Sequence, residues 1–332
     1  VKPFRVGIDC YSLKFLGLSP FELLDWALIN GADGVQFSET PAEAEDPGFL
    51  RELGQYARQN GLYLEWGGGR HIPRDLTTGA PLDIVSGNRR AAEQAALLGV
   101  DTVRSCSGGL MRWNAAGPTT ETLLRETAHS LASQKSMFLD HGVTLALETH
   151  FEFTTFELLR IFELCRADPG GGLGICLDTM NPLTLLEDPV SAARRILPYI
   201  VTTHIKDGGF KLGDEGFVSF TAEIGRGVVD FPEIFKELAA RPADIRLSIE
   251  DHGGDFSIPI FNPAFLREFP DLSVSELGLL LRLAHETQLK LKEGRLAILD
   301  RAKWPAVGEE RVKRDLRAVR AILAKNQNET GK

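Results

Sequence analysis

The sequence predicts an α/β protein of the (β/α)8 barrel class, and three observations carry that prediction. Short apolar runs alternate with amphipathic stretches eight times along 332 residues, the pattern of repeated strand–helix units. Four of the runs end on a carboxylate or an imidazole: Val143–Leu147 then Glu148, Leu173–Leu177 then Asp178, Ile200–Thr203 then His204, and Ile245–Ile249 then Glu250. The spacings between these four, 30, 26 and 46 residues, each hold one helix with its loops. Parallel strands joined by such crossovers bring their C-terminal ends to one mouth. A doubly wound open sheet would carry a glycine-rich turn after its first strand, and Asp9–Ser19 lacks GxGxxG.

Taken in order, the first strand is Arg5–Asp9. Ser19-Pro20-Phe21-Glu22 opens a helix, because Ser caps it, Pro fits its first turn and Glu closes a capping box. The second strand is Gly34–Phe37, followed by a helix near Gly48–Asn60. The third is Leu62–Trp66, which Gly67-Gly68-Gly69 is expected to end. A helix over Ile84–Leu98 places Ile84, Ala91, Ala95 and Leu98 on one side. The fourth strand is Thr102–Ser105, and one long helix runs from about Thr120 to Asp140. Beyond Glu148, Thr154-Thr155-Phe156-Glu157 caps the next helix, and Pro189–Leu197 is a short helix between Asp178 and His204. A long glycine-rich loop, Gly208–Gly227, is expected after the seventh strand, and Asp230-Phe231-Pro232-Glu233 opens the seventh helix. After the eighth strand comes a Phe- and Pro-rich loop, Gly253–Asp271, whose apolar side chains need a lid, a partner subunit or core burial to cover them. Ser273-Val274-Ser275-Glu276 caps the eighth helix, and an extra C-terminal helix covers roughly Glu309–Leu323. The barrel is thus expected over residues 1–295. A helical extension over 296–332 is expected to pack on the barrel or on a neighbouring subunit.

Composition narrows the function classes. A net charge of −9 disfavours a general nucleic-acid surface, since phosphate affinity comes from Lys and Arg. No apolar run has transmembrane length and no signal-peptide core is visible, so a cytoplasmic protein without a membrane role is expected. Cys10, Cys106, Cys165 and Cys176 form no CxxC pair and read as small buried residues in a reducing cell.

Glu148, Asp178, His204 and Glu250 would meet in the barrel mouth and repel one another without a cation, so one divalent metal is expected. An oxygen-rich set with one imidazole suits Mn²⁺, with Mg²⁺, Co²⁺ and Zn²⁺ as alternatives. Metal on a carbonyl oxygen stabilises the enediolate formed when an adjacent proton leaves.

Here the chain resembles the xylose-isomerase-like TIM barrel superfamily, the sugar isomerase/epimerase group. The matching segments are Leu145-Ala146-Leu147-Glu148, Leu177-Asp178-Thr179-Met180-Asn181-Pro182, His204-Ile205-Lys206-Asp207, Gly225-Arg226-Gly227-Val228-Val229-Asp230-Phe231 and Ser248-Ile249-Glu250. The resemblance implies that the four ligands hold one cation, which holds a carbonyl and an adjacent hydroxyl of a sugar. It also implies that Glu148 and Glu250 exchange the proton from opposite faces. His150 departs from the epimerases. It is similar instead to a subgroup that cleaves 3-oxo-glycosides by β-elimination, where a His near the metal is the base and the barrel subunit can work with a small partner subunit. The expected partners are therefore a sugar or ketoglycoside and either further copies of the chain or such a subunit.

Lys206 reads either as a contact to a substrate oxygen or as one half of a surface ion pair, and Asp207 as its orienting partner. His71, Arg104 and His252 stand near strand ends and read as substrate contacts or as structural residues. Trp66, Trp113 and Phe37 read as an apolar wall for a sugar ring or as plain core. A repair nuclease on the same barrel is disfavoured by seven histidines and the negative charge. A silent scaffold barrel is disfavoured by retention of all four ligands.

Overall fold

Residues 4–109, 111–114, 117–241 and 244–330 are described by the computed structural model. Seven parallel strands, Arg5–Asp9 (β1), Gly34–Phe37 (β2), Tyr63–Gly69 (β3), Thr102–Ser105 (β4), Thr144–Glu148 (β5), Leu173–Asp178 (β6) and Ile200–Ile205 (β7), lead to a hairpin of Asp207–Leu212 (β8) and Phe217–Ala222 (β9). Arg246–Ile249 (β10) then closes the barrel between β7 and β1, and Asp255–Ile258 (β11) pairs with β9. The closed order β1-β10-β7-β6-β5-β4-β3-β2 is that of a (β/α)8 barrel. Its strands are buried on both faces, as parallel strands under a helical shell must be.

Register positions the site. Asp178 on β6 pairs with His204 on β7, and Ile249, just before Glu250, pairs with Ile205, just after His204. Glu148 is the last residue of β5, opposite Cys176 two residues before Asp178. All four ligands therefore lie at one end of the barrel.

The capping boxes at Ser19 and Thr154 form, and the helix Ile84–Leu98 has the predicted bounds. Other expectations are corrected. The expected long helix is two, Thr120–Ala132 and Lys135–Asp140. Ser133 Oγ and Gln134 Nε2 both donate to the Ser130 carbonyl, a local bond that competes with helix continuation. The triple glycine continues β3 rather than ending it, because a side chain at Gly67 would strike the Phe37 carbonyl 2.4 Å away.

The two insertions expected as loops carry structure of their own: β8, β9 and β11 form an antiparallel sheet beside the mouth. Glycine density hid this hairpin. At Gly209 the glycine serves packing, since a Cβ would lie 2.2 Å from the Phe220 ring. Of the phenylalanines in the second insertion, Phe265 and Phe269 are buried and Phe256 stacks on Phe151, leaving Phe261 exposed. Trp66 and Phe37 are core, whereas Trp113 joins the Phe256 and Phe265 cluster.

The terminal helix, Trp304–Thr330, is longer than expected. It is fastened to the barrel by Trp304 Nε1, which donates to the Ser12 carbonyl at 3.0 Å, and by Arg311, 2.6 Å from Asp251. Among the described residues no helix is long and apolar enough to cross a membrane.

Candidate metal centre

Glu148, Asp178, His204 and Glu250 are all buried, and each offers one ligand atom within 4.8 Å of the others'. His204 Nδ1 lies 3.1 Å from Glu148 Oε1 and 3.5 Å from Glu250 Oε2. Its other nitrogen, Nε2, meets Gln36 Oε1. Gln36 Nε2 in turn donates to Glu65, which also accepts from Thr202 at 2.7 Å and pairs with Arg246 at 3.2 Å. A chain that takes up the outer N–H of an imidazole fixes its tautomer and aims the inner nitrogen at a cation.

Asp178 is held in the same manner. Its Oδ1 accepts from the backbone N–H groups of Met180 and Asn181, both at 2.8 Å, which turns Oδ2 inward. Asp178 Oδ2, Glu250 Oε2 and Asp9 Oδ2 are buried without a directed hydrogen bond. Lys206 Nζ, 2.8 Å from Asp178 Oδ2 and also against Glu250, supplies charge but not directed geometry. Inward-facing carboxylate oxygens of this kind suit a hard divalent ion, so the residues present fit the expected group.

The charges follow from this crowding. Burial opposes the charged imidazole of His204, yet Glu148 and Glu250 outweigh it and raise its pKa to about 9. Burial likewise opposes the Lys206 ammonium, and Asp178 and Glu250 again prevail and push its pKa up. Burial pushes Asp178 up, whereas Glu148, despite burial, is held well below the usual carboxylate range by Arg104 and His204. Asp9, 3.6 Å from His204 Nε2, is raised by burial to about 6.

The remaining sequence candidates divide. Arg104, His150, Lys206 and His252 line a cavity of about 410 Å³ that Glu250 also borders. Arg104 is ion-paired with Glu148. His150 Nδ1 is fixed by Glu152 at 3.0 Å, and Glu152 is held by Gly108 N–H. Burial opposes a charge on His150, but Cys106 and Glu152 raise its pKa well above the usual value. Two candidates do not border the cavity. Both oxygens of Asp207 are taken by the N–H groups of Gly208, Gly225, Gly227 and Val229, so it ties the hairpin base instead of meeting substrate. His71 is buried, with Nδ1 on Ser105 Oγ at 2.9 Å, and burial lowers its pKa to about 4.

Sequence reasoning missed Asp9, Gln36, Cys106 and Glu152. Asp9 ends β1 and obeys the strand-end rule used for the four ligands. Cys106, read as inert filler, gathers with His150 and Glu152 within 4.8 Å.

The family model for the xylose isomerase-like TIM barrel matches residues 24–268. The chain belongs to that family. A 3-oxo-isoapionate decarboxylase of Pectobacterium atrosepticum is 28% identical over 237 residues, 70% of this chain and 73% of the relative. Among xylose isomerase-like structures, a xylose isomerase domain protein from Planctomyces limnophilus superposes with a TM-score of 0.58 at 17% identity. It spans 87% of this chain and all of its own. An L-ribulose 3-epimerase superposes with a TM-score of 0.56 at 20% identity, over 88% and 96% of the two chains. The family match places the chain among the xylose isomerase-like TIM barrels, and its buried acidic cluster can hold a metal ion.

Proposed function

We propose that the protein is a divalent-metal-dependent sugar isomerase or epimerase that removes a proton beside a carbonyl. The observation that carries this reading is the convergence of Glu148, Asp178, His204 and Glu250 at one mouth, with the Gln36–Glu65 chain behind His204. A bound divalent cation, Mn²⁺ by preference, would draw electron density from the carbonyl oxygen and ease loss of the neighbouring proton.

The chain's own residues supply the rest. Glu148 and Glu250 flank His204, one backed by Arg104 and the other by Lys206. Such a pair suits removal of a proton by one carboxylate and return by the other. Lys206, ion-paired with Asp178 and Glu250 at the cavity wall, adds positive charge near the oxygen on which charge builds. Arg104 orients Glu148 by a charge-assisted bond.

One observation favours a second reading, a lyase that cleaves 3-oxo-glycosides. His150 borders the cavity two residues beyond Glu148 with its Nδ1 fixed by Glu152, and it can act as a base above its raised pKa, where the ring is neutral. The first step is the same, and loss of the C1 substituent replaces return of the proton. The similarity to a 3-oxo-isoapionate decarboxylase agrees with a family that breaks different bonds next to a carbonyl.

Incubation of Mn²⁺-loaded protein with ketoses and 3-oxo-glycosides, followed by mass analysis, separates the readings. Rearranged sugar of unchanged mass supports the first, and a released aglycone supports the second. Glu148→Gln and Glu250→Gln are expected to abolish turnover in either, and His150→Ala only in the lyase. Near-normal rates in both glutamate variants defeat the proposal.

A further inference from the structure

We propose that the mouth selects a sugar carrying an anionic group, carboxylate or phosphate, and that Arg301 receives it. The inference rests on the keto-sugar reading above and adds the charge of the substrate. Three basic side chains with permanent charge border the cavity: Arg104, Lys206 and Arg301. Two are committed, Arg104 to Glu148 and Lys206 to Asp178 and Glu250. Arg301 makes no ion pair with a described residue, and its side-chain bond, at 3.0 Å, goes to Nδ1 of His252. The acidic neighbours do not alter this: Glu39 is taken by Lys14 at 2.8 Å, and Asp255, on the same rim, is not paired with Arg301.

The guanidinium is also positioned. Gly253 and Gly254 have φ of +66° and +94°, in the region that favours glycine. Gly254 N–H donates to the Leu299 carbonyl at 2.8 Å, which lays the C-terminal segment against the backbone just beyond Glu250. A Cβ at Gly254 would lie 3.1 Å from Arg301 Nε, so the arginine side chain passes close over this glycine. Glu250, His252 and Arg301 line the same cavity, Glu250 buried and Arg301 exposed, with Arg301 bonded to His252. A keto-sugar with its carbonyl end on the metal ligands would present its far end to Arg301. A guanidinium fork binds carboxylate or phosphate through paired, charge-assisted bonds, and in a chain of net charge −9 a local cation is needed to admit an anion. Arg301 lies beyond residue 268, where the family match ends, so the C-terminal extension contributes this contact.

The test is calorimetric binding of three ketoses that differ at the terminal carbon, D-fructose, D-fructuronate and D-fructose 6-phosphate. It uses Mn²⁺-loaded wild type, Arg301→Gln and Arg301→Lys. At least one charged ketose is expected to bind the wild type about tenfold more tightly than D-fructose. That advantage is expected to fall below about threefold in Arg301→Gln and to survive in part in Arg301→Lys. The larger of the two advantages identifies carboxylate or phosphate. The inference is overturned if neither charged ketose outbinds D-fructose in the wild type, including the case in which none binds, or if the preference persists in Arg301→Gln. The two readings fail separately. Arg301-dependent preference that is indifferent to Mn²⁺ and to Asp178→Asn sinks the metal reading alone, and metal-dependent ketose binding without charge preference sinks this inference alone.

Discussion

At the scale of single residues, the site is a crowd of carboxylates organised by what stands behind each one. His204 shows the logic. Its inner nitrogen faces Glu148 and Glu250, and its outer nitrogen is taken up by Gln36, itself held by Glu65. Removing an outer partner of this kind usually costs 10–100-fold in metal affinity, roughly 1.4–2.7 kcal/mol. Gln36→Leu is therefore expected to weaken Mn²⁺ binding by about that factor while the fold persists, and competition with a fluorescent chelator reads it. Unchanged affinity would mean that the Gln36 bond does not aim the imidazole. The four ligands were legible because each ends an apolar run. Gln36 was not, because an uncharged residue inside a strand carries no mark of whom it will meet across the barrel. Asp207 was misread for the opposite reason. Its place after His204 looks functional, but its carboxylate is spent on backbone N–H groups.

At the scale of elements, Asp207 anchors the hairpin that borders the mouth. Four backbone donors converge on its two oxygens from Gly208 and the Gly225–Val229 segment. Buried donors left unmatched cost about 1–3 kcal/mol apiece before the chain relaxes. Asp207→Ala is expected to lower stability by about 3 kcal/mol or more, read as a shift of the urea midpoint with little change in slope. A loss under about 0.5 kcal/mol would place the anchor elsewhere. Strand and helix alternation in the barrel could be read from periodicity and caps, as at Ser19 and Thr154. The hairpin could not, because Gly208, Gly209, Gly213 and Gly216 signal a loop locally. Their absent side chains make room for Phe220 and Val218 on the hairpin's own second strand and for Met180 and Ile260 from elsewhere in the chain. The split of the expected Thr120–Asp140 helix likewise depends on the bonds that Ser133 and Gln134 make once folded.

At the scale of the whole molecule, the terminal helix couples the barrel's last strand to its first. Arg311 pairs with Asp251, next to Glu250, and Trp304 reaches the Ser12 carbonyl beyond β1. Asp315 on the same helix is buried, accepts from Ile224 N–H at 2.8 Å and leaves Oδ2 unpartnered. Burial, reinforced by Asp251, raises its pKa well above the ordinary carboxylate value. The folded protein thus keeps a proton that the unfolded chain releases near pH ~4. Its contribution to stability is complete below that pH and is lost as pH rises through the folded value. Asp315→Asn keeps the acceptor and cannot ionise. Thermal melts across roughly pH 4–8 should show wild type losing ground to the variant as pH rises, and parallel curves would contradict the assignment.

The proposed chemistry depends on four distant strand ends sharing one ion, which metal counting checks. Protein reconstituted with Mn²⁺, desalted and analysed by inductively coupled plasma mass spectrometry is expected to retain one ion per chain, and Asp178→Asn combined with His204→Asn to retain none. Wild type that keeps no ion, or a double variant that keeps as much as wild type, would contradict it.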